Sequence, residues 1–301
     1  MSFHSGFVSI LGRPNAGKST LMNALVESKV AIVADKPQTT RTAIQAVWTG
    51  PHEQIIFLDT PGIHKAESAI HKRMMESVRS ALSERDLLLY VIDATTGPSD
   101  ADRHGVDMLR HTKTPVLAVL NKTDLLERQE DLLPVIERYR QLFDVADFRP
   151  LSAIATGQVL KLREAIVARL PEGPAYFPAD HVTDQPARFL AAELVREKVL
   201  RLTQQEVPHS VAVLIDKWEE SQGLLKIYAT ILVERDGQKA IILGARGSMI
   251  KRIGTSAREE MEKLFEIKIY LDLHVKVEAN WREKPAFLNT MDWRTMTGDD
   301  H

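Results

Sequence analysis

Gly12-Arg13-Pro14-Asn15-Ala16-Gly17-Lys18-Ser19 sets two glycines five residues apart and follows the second with a lysine and a hydroxyl. That spacing lets the backbone curl around a chain of negatively charged oxygens, with its N–H groups and the positive end of the next helix facing the anion. Lys18 would reach the outer phosphates of a nucleoside di- or triphosphate, and the Ser19 hydroxyl would ligate Mg²⁺. An apolar run from Phe7 to Leu11 precedes the loop and a helix-like stretch follows it, the strand–loop–helix context the motif requires.

Two further elements decide which nucleotide. Asp59-Thr60-Pro61-Gly62 closes a strand-like run, in the form that brings a carboxylate toward Mg²⁺ and a glycine amide toward the γ-phosphate. Asn121-Lys122-Thr123-Asp124 is the specific one. Asp124 can accept two hydrogen bonds, from N1–H and the exocyclic amine of guanine, whereas adenine would leave the carboxylate unpaired. Asn121 would hold the base loops, the Lys122 stem would lie across the base, and Ser152-Ala153 follows the sixth strand, where the Ala153 N–H would donate to guanine O6. GTP and GDP are therefore the expected ligands.

Lys36-Pro37-Gln38-Thr39-Thr40-Arg41 lies between these elements and reads as a switch loop, with Thr40, or alternatively Thr39, completing the Mg²⁺ shell and sensing the γ-phosphate. Ser19, Thr40 and Asp59 are thus the metal set, and Asn15, Lys18, Thr40, Asp59 and Gly62 the catalytic set. Ile63 stands where many signalling GTPases carry a water-orienting glutamine, so slow intrinsic hydrolysis is expected. The Asn15 carbonyl oxygen suggests a potassium ion beside the β- and γ-phosphates, with charge that an arginine finger supplies elsewhere. No side chain stands in a recognisable place for a general base.

The scaffold that must position these residues is legible from residue 6 to about 170, where short apolar runs alternate with helical patterns, as in a mostly parallel sheet flanked by helices. Strands are expected at 6–11, 43–48, 54–59, 87–93, 116–121 and 148–151, several ending in the polar residues above. Open α/β sheets bind ligands at that end. The stretch 171–178 holds three prolines and a glycine and reads as a stiff linker. The expected division is 1–172, a linker at 173–182, a smaller α+β domain at 183–285 and a tail at 286–301.

In the second half, Leu190, Leu194, Val195, Val199 and Leu202 form a stripe at helical spacing, and two period-two segments span 210–217 and 225–234. A short apolar run at 240–243, taken as a strand, leads into Gly244-Ala245-Arg246-Gly247, then a helix over 248–265 and a strand over 268–277. A G-x-x-G loop lets a nucleic-acid backbone approach closely, with Arg246, Lys251, Arg252 and Arg258 as phosphate partners. With 15 glycines in 301 residues, about 0.7 such motifs arise by chance, so RNA clamp and structural turn stay equally open on the motif alone. Trp218 and Trp281 are candidates for base stacking or for edge packing.

With 39 basic against 41 acidic residues the net charge is −2, and neither half is basic overall, so any nucleic-acid contact must rest on a local patch. The absence of cysteine excludes disulfides, cysteine-ligated zinc and thiol catalysis. With no long apolar run and no signal-like N-terminus, a cytoplasmic monomer is expected.

The loop G-R-P-N-x-G-K-S, the switch Gln38-Thr39-Thr40-Arg41, Asp59 to Gly62, Asn121 to Asp124 and Gly244 to Gly247, in this order, resemble the Era family of bacterial GTPases over nearly the whole chain. The tail from Pro285 to His301 does not match. The resemblance implies a P-loop GTPase domain followed by a type II KH domain, in which Gly244, Ala245, Arg246, Gly247, Lys251 and Arg252 bind RNA. It further implies binding near the 3′ end of small-subunit ribosomal RNA, a role in maturing the ribosomal small subunit, and peripheral contact with the inner membrane. Competing expectations are a passive RNA-binding chaperone that uses GTP for stability, and a membrane-surface GTPase using an amphipathic 248–265 helix.

Overall fold

The computed structural model describes residues 2–63, 68–143, 145, 147–204, 207–290 and 292–293. The chain forms two compact units. The first draws on the residues up to Ala31, those from Thr40, and His71–Asp184; the second on Ile32–Thr39, Ser68–Ile70 and the chain from Gln185 onward.

The first unit follows the order β1 (His4–Leu11), α1 (Lys18–Val26), β2 (Ile44–Thr49), β3 (Glu53–Asp59), α2 (Ala69–Ser80), β4 (Leu87–Asp93), α3 (Asp100–Leu109), β5 (Val116–Asn121), α4 (Leu132–Leu142), β6 (Phe148–Pro150) and α5 (Thr156–Val167). Its six strands lie in the order β2-β3-β1-β4-β5-β6. All neighbours are parallel except β2, which runs antiparallel to β3 at the edge. Every residue of β4 is buried, because helices cover both faces of a parallel sheet and leave no solvated side. Leu87, Leu89 and Val91 enter one core layer with Leu21, Leu25 and Leu162, while Leu88, Tyr90 and Ile92 enter the other with Val106 and Tyr139. Ser99 and Asp102 form a reciprocal capping box at the start of α3, pairing two helix-end donors that would otherwise lack partners.

The segment expected as a stiff linker is fastened to the first unit. Gly173 N–H donates to Phe3 O at 3.0 Å, Tyr176 N–H to Gln54 Oε1 at 2.7 Å, and Val47 N–H to Val182 O at 2.8 Å. The division between units therefore falls after Asp184. The prolines remove helix, but they leave enough N–H and C=O groups to bond along the sheet.

The second unit runs α6 (Ala187–Leu202), β7 (Ala212–Ser221), β8 (Leu224–Val233), α7 (Asp236–Leu243), α8 (Ser248–Phe265), β9 (Lys268–Val277) and α9 (Pro285–Thr290). Its sheet is β7-β8-β9, with β7 antiparallel and β9 parallel to β8. A parallel β8–β9 pair needs a helical crossover, which α7 and α8 provide. The expected strand at 240–243 is instead the end of α7, an outcome its apolar run could not distinguish from a short buried strand. Ile253, Ala257 and Met261 of α8 are buried in this unit's core, so the apolar face that suggested a membrane helix is already covered by protein. Among the described residues, no helix is long and apolar enough to cross a membrane. The Ile32–Thr39 segment joins this unit through α6: Glu197 accepts Val33 N–H at 2.8 Å, Arg201 Nε donates to Val33 O at 2.9 Å, and Arg196 donates to Thr39 O.

Trp281 is fully buried and its Nε1–H donates to Ser210 O at 2.9 Å, so it is a core anchor and not a base-stacking surface. Trp218 packs edge-on against Phe265, ring centroids 6.2 Å apart. The tail expected at 286–301 lies largely outside the described residues. Trp281→Ala should destabilise the second unit by about 3–5 kcal/mol through the cavity it leaves and the loss of its hydrogen bond to Ser210 O, measured as a lower urea midpoint in circular dichroism.

Candidate functional site

The carboxyl ends of β1, β3, β4 and β5 deliver the loop from Gly12 to Ser19, Asp59, Asp93 and Asn121 to one edge of the sheet. The phosphate-binding loop is held open by left-handed backbone at Asn15 (φ 62°) and Gly17 (φ 91°). A Cβ at Gly17 would stand 2.3 Å from Asn121 Nδ2, so glycine is required by both angle and space. Asn15 is exposed at the loop's crest. Arg13 turns away from the loop's mouth, its Nη2 2.5 Å from Thr96 Oγ1.

Lys18 is buried and donates to Gly12 O at 3.0 Å and Arg13 O at 2.9 Å. Burial lowers its ammonium to a pKa of about 8, with Asp59 and Asp102 opposing the shift. Asp59 is fully buried. Its Oδ2 accepts from the hydroxyls of Ser19 at 2.6 Å and Thr40 at 3.4 Å, those two hydroxyls lying 2.8 Å apart. Burial pushes the Asp59 carboxyl up to about 6 against the pull of Lys18 and the hydroxyls. Its Oδ1 is buried without a hydrogen-bond partner, which costs energy unless a cation or donor meets it. Three hard oxygen ligands around an unsatisfied carboxylate oxygen fit Mg²⁺, which binds through one or two carboxylates plus nucleotide phosphates. Ser19, Thr40 and Asp59 would hold it; when bound, it neutralises the charge developing on the phosphate oxygens.

Between the alternatives for the switch threonine, the structure separates the two. Thr39 Oγ1 donates to its own loop, to Lys36 O at 2.6 Å and Ala34 O at 3.2 Å, whereas Thr40 faces Asp59 and Ser19. Thr60 is buried with its hydroxyl on Ile10 O at 2.8 Å, and Pro61-Gly62 follow. Ile63 N–H donates to Gly12 O at 3.1 Å, drawing Gly62 against the phosphate loop. The Ile63 side chain is 1% exposed and packs in the core with Leu11, Tyr90 and Val106. This position is spent on packing, so water orientation cannot come from it.

At the base end, Asn121 bridges two loops: Nδ2 donates to Ala16 O at 2.9 Å and Oδ1 accepts Ala153 N–H at 2.9 Å. The Ala153 amide assigned to guanine O6 from sequence meets Asn121 Oδ1 here, which ties the loop after β6 to the base-reading loop. Lys122 is left-handed (φ 67°) and its Nζ donates to Asp93 Oδ2 at 2.7 Å. Thr123 N–H donates to Leu151 O at 3.3 Å, starting the one-turn helix that carries Asp124. Asp124 is exposed and opens on a cavity of about 480 Å³ lined also by Thr123, Ser152, Ile154 and Gln158. Sequence reasoning missed Gln158, whose Oε1 accepts the Ser152 N–H at 2.6 Å and shapes that loop.

In the second unit, Gly244 ends α7 with φ 67°, where a Cβ would meet Met249 Cβ at 2.7 Å. Arg246 and Gly247 are also left-handed, and space around Gly247 is open enough for a backbone to approach. Beside the loop, a groove of about 300 Å³ is lined by Ile250, Lys251, Gly254, Thr255, Arg258, Leu271 and Leu273. Arg252 is exposed but does not line this groove. Gly254 is the missed signal: a glycine at mid-helix costs about 1 kcal/mol against alanine, and here a Cβ would come into van der Waals contact with Leu273 Cδ1 at 3.4 Å, occupying part of the groove. Ile250, Gly254 and Arg258 share one helix face by their four-residue spacing.

Comparison with known proteins matches residues 7–122 to a family described as 50S ribosome-binding GTPase and residues 206–282 to the KH domain. The chain is 48% identical over 287 residues to the GTPase Era of Heliobacterium modesticaldum, covering 95% of this chain and 96% of that protein. It superposes with a TM-score of 0.93 on a crystal structure of Era in complex with MgGDPNP and nucleotides 1506–1542 of 16S ribosomal RNA, at 38% identity, over 97% of this chain and 99% of that one. A tyrosine-to-alanine variant of Aquifex aeolicus Era bound to GDP·AlF4⁻ gives 0.91 at 37% identity, with the same coverages.

Two outcomes test the nucleotide site. Asp124→Asn should weaken GDP by about 100-fold and favour XDP, since the amide donates to the xanthine carbonyl where the carboxylate accepted from the guanine amine; fluorescent-nucleotide competition measures both. Phosphate binding needs the Lys18 ammonium, so with the free pKa near 8 GDP affinity should be flat below about pH 7 and fall about tenfold from pH 7 to 9. The Lys18→Arg variant, charged throughout, should lack that component; parallel profiles for the two would refute the assignment.

Proposed function

This chain belongs to the Era family of GTPases, and on that premise we propose that its GTP cycle serves maturation of the ribosomal small subunit, the second unit binding small-subunit ribosomal RNA near its 3′ end. It binds GTP and hydrolyses it with Mg²⁺. The phosphate loop orients the polyphosphate, Lys18 faces its outer oxygens, and Asp124 reads guanine. Catalysis in this arrangement is positioning plus electrostatic stabilisation, with no side chain acting as a proton acceptor. Thr40 adjoins Asp59 and Ser19, so loss of the γ-phosphate would release the switch loop.

The observation that carries the RNA reading is the Gly244–Gly247 loop at the head of α8, opening on a groove with apolar walls and basic Lys251 and Arg258. A KH clamp holds about four nucleotides on such a surface, its glycines admitting the backbone while apolar walls meet the bases. The complex of the related Era with 16S ribosomal RNA nucleotides 1506–1542 supports the choice of RNA. The same reading takes the protein to be cytoplasmic, with peripheral contact at the inner membrane. It also assigns the exposed Asn15 to a potassium ion, so turnover should be several-fold faster in potassium than in sodium buffer; equal rates would remove the ion from the mechanism.

Crosslinking and sequencing of RNA bound to the GTP-loaded protein tests the main claim. Small-subunit ribosomal RNA should dominate, and Gly244→Asp/Gly247→Asp should lose it by at least tenfold while retaining GTP. Recovery of the same RNA by that variant would place binding elsewhere.

A further inference from the structure

We propose that Asp93, at the carboxyl end of β4, is a positioning residue that locks the phosphate loop and the guanine-reading loop to each other through two cations. The side chain is buried beside Asn121, its partner across the β4–β5 ladder. Its Oδ2 lies 2.7 Å from Lys122 Nζ and 3.4 Å from Arg13 Nη2, so one carboxylate oxygen draws in the second residue of the phosphate loop and the lysine that must lie across the base. The other oxygen accepts Thr95 N–H at 3.1 Å and Thr95 Oγ1–H at 2.6 Å, which fixes the carboxylate plane.

The cations are held on their far sides as well. Arg13 Nη2 reaches Thr96 Oγ1, and Arg13 Nε stands 3.9 Å from Asp102 Oδ2, itself fixed by Ser99 and by the Tyr90 hydroxyl on Oδ1. One arginine and one lysine thus face Asp93, and the arginine also faces the buried Asp102. Burial opposes ionisation of Asp93, but the hydrogen bonds from Lys122 and Thr95 prevail and hold its carboxyl below the ordinary range.

The lock matters because Lys122 is long and left-handed, so its stem can support a base only if its end is fixed. Asn121 makes the neutral tie between the same two loops, to Ala16 O. Asp93 makes the ionic one, to Arg13 and Lys122. A ligand that spans both loops gains from their being pre-set.

The test is a double-mutant cycle read by release of a fluorescent GDP analogue. Asp93→Asn keeps the shape and the Thr95 contact geometry but removes the charge, and should speed release about tenfold. In an Arg13→Met/Lys122→Met background the same substitution should change release by less than twofold, because both partners are gone. A tenfold effect in both backgrounds would show that Asp93 acts on the fold independently of the cations and would overturn the proposal, as would release from Asp93→Asn at the wild-type rate. If Asp93→Asn does not fold, Arg13→Met alone decides: its side chain faces Asp93 and Thr96, so faster release supports the lock and unchanged release overturns it.

Discussion

Everything at the nucleotide site depends on the parallel pairing of β1 with β3 and β4, and of β4 with β5. Parallel strands end on the same edge, and each crossover returns the chain to begin the next strand at the opposite edge. Gly12, Asp59, Asp93 and Asn121 are far apart in sequence, yet each is the last residue of its strand or the first beyond it. A single antiparallel reversal among these four would send one of them to the far edge. The antiparallel strand β2 lies outside them, at the margin, where it leaves the site intact.

Burial then gives those strand ends their electrostatic character. Lys18 and Asp59 are both removed from water, and each is pushed toward its neutral form. Their mutual attraction opposes this without abolishing it, since desolvation is the largest influence on both. A polyphosphate with a divalent cation supplies the missing partner for each: anion to the ammonium, metal to the carboxylate. The site is consequently matched to a charged complex and poorly matched to either protein group alone.

The second unit reaches its surface by different means. Here a small sheet and three helices bury Ile227, Ala229, Ile231, Ile253 and Ala257 on one side of β8 and α8, and the binding groove is left where α8 carries glycine. Gly254 lets helix and strand approach without filling the space over Leu271 and Leu273. The left-handed run at Arg246 and Gly247 turns the chain sharply enough to start α8 beside the end of α7. Apolar walls and mobile-length basic side chains at the rim suit a polyanion whose bases must be sheltered and whose phosphates stay wet.

The sequence by itself determined the nucleotide chemistry, because phosphate loop, D-x-x-G and N-K-x-D elements are local: the residues that do the work adjoin the glycines or strand ends that aim them. It likewise determined the central strands of the first unit, such as β4, whose apolar run is buried throughout, and the helix over Ser248–Phe265. Only the tertiary structure decided relations between distant segments. Thr40 was separated from Thr39 by which hydroxyl faces Asp59; the Ala153 amide was tied to Asn121, 32 residues earlier; Ile63 was turned into the core; and Trp281 was buried against Ser210. Asp93 carried no signal, being an ordinary acidic residue after an apolar strand until folding set Arg13 and Lys122 against it. A motif fixes what a residue can do, since that depends on its own atoms and near neighbours, but which partner it meets depends on chain packing that no short spacing records.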